Sequence, residues 1–180
     1  MTNLSLESRF TDRTPMRRIP LTIGTSELCL RKLTDYDVAP IRAWFLDDSN
    51  RAAHAGRAID PGAFLLDTFL LGPGSSFSLQ YGIVVENGSR LIGLAGIYAI
   101  DWTKETAEIG LMIGDMRYRG HGYGTKILHL LTEMAAHDLR IRMIFAQVLP
   151  GNIAASRCFQ KSGFHPAGEG MWARRMDATG

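Results

Sequence analysis

Three glycines at alternate positions, beside an arginine and ahead of a helical pattern, are the residues of this chain best suited to holding an anion. The run is Arg117-Tyr118-Arg119-Gly120-His121-Gly122-Tyr123-Gly124-Thr125. It lies between a predicted strand and a predicted helix. Glycine lets backbone approach a ligand closely and adopt positive φ. The first amides of a helix have no intrahelical partner, and with the helix dipole they favour phosphate. Arg119 adds a cationic fork suited to a phosphate pair. The local inference is a diphosphate ligand. A phosphate loop of the nucleotide-triphosphatase kind ends in Gly-Lys-Ser/Thr, whereas this one reads Gly124-Thr125-Lys126. A dinucleotide loop spaces its glycines one, three and six; Gly120, Gly122 and Gly124 are spaced one, three and five. The next strand also ends Val148-Leu149-Pro150, without the acid that would bind a ribose. A glycine-rich turn with no ligand is the remaining alternative.

These residues need a scaffold, and the composition is that of an ordinary globular chain. Of 180 residues, 46% are hydrophobic and 21% charged, enough for one domain with a sizeable core. The net charge of +2 gives no argument for nucleic acid or an anionic membrane as partner. The longest apolar run, Leu91 to Ile100, is half the roughly 20 residues of a membrane-spanning helix. A soluble, cytoplasmic protein is expected. Cys29 and Cys158 stand far apart and read as reduced thiols. No Cys/His cluster suggests a metal, and His54, His129, His137 and His165 show no ligand spacing. Residues 1–24 are polar, carrying Arg9, Arg13, Arg17 and Arg18 against Glu7 and Asp12, and read as a mobile arm before a single domain over 25–180.

Periodicity supplies the elements. Leu28 to Leu33 alternates as a first strand. Thr34 offers an N-cap, with Asp35 and Asp37 in the first turn of a helix whose inner face is Val38, Ile41, Trp44 and Phe45. A second helix is predicted from Asp60-Pro61 to Gly72, burying Phe64, Leu65, Phe69 and Leu70. Three strands of an antiparallel meander follow: Ser76 to Glu86, Arg90 to Asp101, and Thr106 to Ile113, the first two joined by an Asn87-Gly88 two-residue hairpin. After the glycine loop, Thr125 to Leu139 is helical, with Ile127, Leu130, Leu131, Met134 and Ala135 inward and His129, Thr132, Glu133 and Ala136 outward. Met143 to Leu149 is a strand, Asn152 to Ser162 a helix, and Phe164 to Met176 an extended tail. The fold class is α/β, a mixed sheet with helices on both faces.

Together these motifs resemble the GNAT superfamily of acyl-CoA N-acetyltransferases. Arg119-x-x-Gly122-x-Gly124 is similar to its pyrophosphate loop. Asn152-Ile153-Ala154-Ala155-Ser156 followed by Phe159-Gln160-Lys161-Ser162-Gly163-Phe164 resembles its last helix, and Ala107-Glu108-Ile109-Gly110-Leu111 the strand before the loop. The first strand and the Glu-Ile-Gly strand resemble the branch that includes ribosomal-protein N-terminal acetyltransferases. The resemblance implies acetyl-CoA as co-substrate and no metal. Amides from Arg119 through Gly120, His121, Gly122, Tyr123 and Gly124 to Thr125 would hold the pyrophosphate. The backbone of Leu111, Met112 and Ile113 would pair with the pantetheine amides as an added strand does. Asn152 would hydrogen-bond the same arm, with Phe159 and Lys161 on that helix beside it.

The implied reaction moves acetyl directly to a primary amine, on a protein N-terminus or a small molecule, in a ternary complex. It needs a base for the amine and a donor for the departing thiolate. Glu108 is the expected base; strand alternation leaves open whether it faces the site or is a surface glutamate. Asp101 and Asp115 are alternatives. The family's usual tyrosine donor falls at Phe159, which has no proton to give. Ser156, directly or through water, is the expected substitute; Tyr123 is another. The missing phenol also leaves a silent acyl-CoA-binding module as the rival reading. The acceptor site would lie near Trp44 to Ile59. With one strand evident after Phe164, it is expected to be open or completed by another subunit, so monomer and homodimer both stand.

Overall fold

The computed structural model describes residues 22–25, 27–50 and 78–176. Residues 1–21 of the arm proposed over 1–24, residues 51–59 of the expected acceptor region, the proposed helix from Asp60 and the start of the strand at Ser76 lie outside the described residues. The chain forms β1 (Thr22–Gly24), β2 (Leu28–Arg31), α1 (Val38–Leu46), β3 (Leu79–Val85), β4 (Arg90–Asp101) and β5 (Thr106–Ile113). There follow α2 (Tyr123–His137), β6 (Met143–Gln147), α3 (Ile153–Lys161), β7 (His165–Gly168) and β8 (Met171–Arg175). Among the described residues all eight strands join one sheet in the order β1-β2-β3-β4-β5-β6-β8-β7. Every neighbouring pair is antiparallel except β5 and β6, which are parallel.

The mixed α/β class holds, and β4 and β5 begin and end where periodicity put them. Three details differ. Thr22–Gly24 pairs with Cys29–Arg31, so ordered structure begins before residue 25. The β3–β4 turn spans four residues, Glu86 to Ser89, because Val85 pairs with Arg90 and both Glu86 and Asn87 take positive φ. The tail is a hairpin rather than one strand, β7 turning at Gly168 and Gly170 into β8, which pairs along β6.

Packing follows from the alternation. Ala107 and Ile109 of β5 point to the α2 side, where Ile127, Leu128, Leu131 and Ala135 are fully buried. Met112 points to the opposite face and packs with Leu94 and with Ile41 and Phe45 of α1. Thr132, expected on the outer face of α2, is buried at 1% exposure. Its hydroxyl donates to the His129 carbonyl and accepts from Arg174, which also donates to the Ser162 carbonyl at the end of α3. That arginine ties β8 to both helices.

The start of α1 is fixed by charge. Arg31 donates two hydrogen bonds to the Asp37 carboxylate, at 2.7 and 2.9 Å. The same carboxylate accepts from the Thr34 N–H at 2.7 Å and the Thr34 hydroxyl at 3.0 Å, closing a capping box. Burial alone would raise the Asp37 carboxyl; the Arg31 guanidinium and the Thr34 groups outweigh it and hold it below the ordinary carboxylate range.

Candidate active site

The site is built where the sheet forks. β5 and β6 pair over three positions only, Thr106↔Met143, Ala107↔Ile144 and Glu108↔Phe145. Beyond Glu108, β5 continues along β4 to Ile113, while β6 turns its other edge to β8. Among the described residues no strand lies against the β6-facing edge of Ile109 to Ile113, and a gap opens between the two strands. Strand backbone left this way is a template for another extended chain. Leu111, Met112 and Ile113, expected to pair with pantetheine, occupy that edge.

The gap leads into the glycine loop. A short 3-10 turn, Met116–Tyr118, carries the chain from β5 to Arg119. Gly120 and Gly122 both take the left-handed conformation, φ +78° and +79°, and a side chain at either would meet nothing within 4 Å. The space above them is open. The first helical bond of α2 runs from the Lys126 N–H to the Gly122 carbonyl. The amides of Tyr123, Gly124 and Thr125 thus precede the ladder, at the positive end of a 15-residue helix. Gly124 serves a different purpose: a methyl group there would lie 3.0 Å from the Cys158 sulfur and 3.6 Å from Leu111. Its absence lets α3 pack against the start of α2 and the end of β5. Burial pushes the Cys158 thiol up, and the nearby Thr125 hydroxyl and Lys161 only partly offset this.

Arg119 departs from the expected phosphate fork. Its N–H donates to the Met116 carbonyl at 3.1 Å. Its Nε donates to the Ile113 carbonyl at 2.9 Å, and a terminal nitrogen donates to the Asn50 side-chain oxygen. His121 is exposed, with Nδ1 2.8 Å from the Arg119 carbonyl. Tyr123 sits 6.2 Å, ring centre to ring centre, from both Tyr118 and His121.

Glu108 occupies the crotch of the fork. It is half-buried, between Phe145 on β6 and Tyr98 on β4. Because Ala107 and Ile109 face α2, the glutamate faces the α1 side of the sheet. Tyr98 is directly cross-strand, and its ring lies over Gly110 and Gly96; a methyl group at Gly96 would come within 2.6 Å of it, while one at Gly110 would make ordinary contact at 3.4 Å. A bulge follows Tyr98, with Ala99 at φ +48°. Bulges beside sites re-aim side chains, and neither this one nor Tyr98 gave a signal in the sequence. Asp101 caps the turn after β4 through the Thr103 and Lys104 N–H groups, and Asp115 is paired with Arg117 and Arg90. Those are structural duties rather than those of a base.

On α3 the expectations divide. Asn152 is the N-cap, its oxygen accepting from the Ala155 N–H at 3.0 Å. Ser156 is half-buried and Lys161 exposed. Phe159 is 6% exposed and packs edge-on to Phe164 at 5.1 Å, so its ring is core rather than a lining of the gap. Among the described residues no three His, Cys, Asp or Glu side chains gather to hold a metal ion, and no helix is long and apolar enough to cross a membrane.

A sheet forked beside a glycine loop, with a carboxylate at the fork, defines an acyl-CoA transferase architecture. The profile described as acetyltransferase (GNAT) domain matches residues 27–165, and the chain belongs to that family. It is an acetyl-CoA-dependent N-acetyltransferase acting on an amine. Among curated relatives, a Bacillus subtilis protein named Probable N-acetyltransferase YjcK is 34% identical over 90 residues, 49% of each chain. The Klebsiella pneumoniae aminoglycoside N(6')-acetyltransferase type 1 is 25% identical over 159 residues, covering 82% of this chain and 79% of its own. The crystal structure of aminoglycoside acetyltransferase AAC(6')-Ib with coenzyme A has the same fold, with TM-score 0.68, 19% identity, and 84% and 96% coverage. A Vibrio cholerae protein assigned as a ribosomal-protein-serine acetyltransferase superposes with TM-score 0.65, 18% identity, and 86% and 97% coverage.

Proposed function

We propose that acetyl-CoA lies along the open edge of β5, its diphosphate on the amides of Gly120 to Thr125, and that the acceptor amine approaches from the α1 side to Glu108. The observation that carries this reading is the end of β5–β6 pairing at Glu108, five residues before β5 itself ends. An open strand edge that runs from Glu108 toward the glycine loop supports this reading. Backbone of Leu111, Met112 and Ile113 pairs with pantetheine, Asn152 and Ser156 face the arm from α3, and Lys161 lies a turn further along that helix. Phe159 contributes by packing beneath the site.

The chemistry conserves its atoms simply. Glu108, directly or through one water, takes a proton from the ammonium form of the acceptor. The nitrogen bonds to the acetyl carbonyl carbon, the carbon–sulfur bond breaks, and the departing thiolate takes a proton from the Ser156 hydroxyl or from water; the second proton, shed by the nitrogen as it becomes an amide, restores that donor, and Glu108 returns its own proton to solvent. A backbone amide at the edge of β5 stabilises the carbonyl oxygen as charge develops. The acceptor is a primary amine on a small molecule or a protein N-terminus. Two relatives named for aminoglycosides favour the former, and the shared fold of the ribosomal-protein enzyme keeps the latter. Use of acetyl-CoA and two unpaired cysteines fit the cytoplasm, as monomer or homodimer, with no nucleic-acid or membrane partner.

Free-thiol release from acetyl-CoA across a panel of aminoglycosides, polyamines, amino sugars and N-terminal peptides tests the reading. Turnover with one class, abolished by Gly122→Val and strongly reduced by Glu108→Gln, is expected. Full turnover in both variants overturns the placement.

A further inference from the structure

The Arg119 side chain points away from the loop it begins. With Asn50 it closes a ring of hydrogen bonds around the chain leaving β5. Arg119 Nε holds the Ile113 carbonyl, and Asn50 Nδ2 donates to the next one, that of Gly114, at 3.3 Å. The two side chains also bond to each other. Asn50 is 2% exposed, and its own N–H donates to the Asp47 carboxylate at 3.0 Å. The Ser49 hydroxyl donates to that carboxylate too, and also reaches the Met116 sulfur at 3.6 Å. Trp44 of α1 fills the space a Gly114 side chain would take. The segment after α1 is thus fastened to the segment between β5 and the loop at several points, across 69 positions of sequence.

A guanidinium beside a diphosphate site would ordinarily be read as a phosphate ligand. Here its Nε and one terminal nitrogen are aimed at a carbonyl and a side-chain amide oxygen, and its main-chain N–H is taken by Met116. We propose that Arg119 and Asn50 form a strut in which both are positioning residues. Arg119 serves acetyl-CoA binding by holding the end of β5 and the start of the loop in register with α1, without touching phosphate. The proposal rests on the loop being the diphosphate site. It deepens that reading by joining the donor loop and the α1 side, from which the acceptor approaches, into one rigid unit.

The experiment is a double-mutant cycle of Asn50→Ala and Arg119→Ala, read by acetyl-CoA titration, steady-state kinetics and melting without ligand. Each single substitution should raise the KM for acetyl-CoA about 5- to 30-fold, with kcat at saturation within about twofold. The double variant should be no worse than either single, in KM and in Tm alike, because both break one unit. Arg119→Lys should not restore binding, since an ammonium lacks the planar fork. Asn50→Asp, which keeps oxygens for Arg119 but loses the donor to Gly114, should fall between wild type and Asn50→Ala and serves if the alanine variant does not fold. Wild-type acetyl-CoA affinity in Asn50→Ala, together with recovery in Arg119→Lys, would overturn the strut and make Arg119 a point charge for phosphate. Coupled melting with unchanged acetyl-CoA KM in both singles would also overturn it, leaving only a stability role. Failure of the underlying site reading shows separately, as undiminished acetyl-CoA binding by Gly122→Val.

Discussion

Gly122 and Gly124 sit two residues apart and serve unlike needs, so their substitutions should fail differently. At Gly122 the φ of +79° is the constraint, and the space around it is open. Gly122→Val therefore strains the backbone by roughly 1–3 kcal/mol and pushes a branched side chain into the ligand's path. Calorimetry should show loss of acetyl-CoA binding with a modest fall in Tm. At Gly124 the obstacle is the Cys158 sulfur. Gly124→Ala should lower Tm, and Cys158→Ala in the same chain should recover most of the loss. Two independent losses that simply add would contradict the close approach of α2 and α3. Glu108 carries the chemical prediction. Glu108→Gln should lower kcat about 100- to 10,000-fold and leave acetyl-CoA affinity within about twofold. Near-normal turnover would return the glutamate to a structural role beside Tyr98.

At the scale of elements, Asn152 can be dissected by its cap. Asn152→Ala removes the acceptor for the Ala155 N–H and should cost about 1 kcal/mol of stability. Asn152→Asp keeps that acceptor. If the residue only caps α3, aspartate restores both Tm and the KM for acetyl-CoA. If it also donates to pantetheine, aspartate restores Tm alone, and the second outcome is expected. The elements themselves were unevenly legible. β4 and β5 were readable to the residue because a turn signal and a polar turn bracket clear apolar patterns. β7 was missed because His165–Gly168 is exposed throughout and contains Pro166, so it carries no alternation. Thr132 was misread because its burial depends on Arg174, 42 residues away, supplying a partner. The site divides the same way. The glycine loop announces itself locally, whereas the Arg119–Asn50 contact, the ring of Tyr98 over two glycines and the three-position limit of β5–β6 pairing are tertiary facts with no local pattern.

For the molecule as a whole, Asp37 couples stability to pH. Its folded carboxyl lies below the ordinary range, so the unfolded chain binds the proton more readily. The stabilisation is present above the ordinary carboxylate range and is lost as pH falls through the folded value. Asp37→Asn should be about 2–3 kcal/mol less stable than wild type at neutral pH, measured by urea unfolding. The gap should narrow as pH drops below about 4; a gap constant from pH 7 to 3 would refute the ionic account.

The forked sheet also makes one strand into two reporters of isotope exchange. Along Ile109 to Ile113, alternate amides point to β4 and to the gap. Those toward β4 exchange hydrogen only when the sheet itself opens. Their immediate neighbours, facing the gap, should exchange faster in the unliganded protein and slow on adding acetyl-CoA if the donor lies along β5 as proposed. Consecutive residues of β5 would thus record separate clocks, one for unfolding and one for occupancy, in a single deuterium experiment that needs no acceptor.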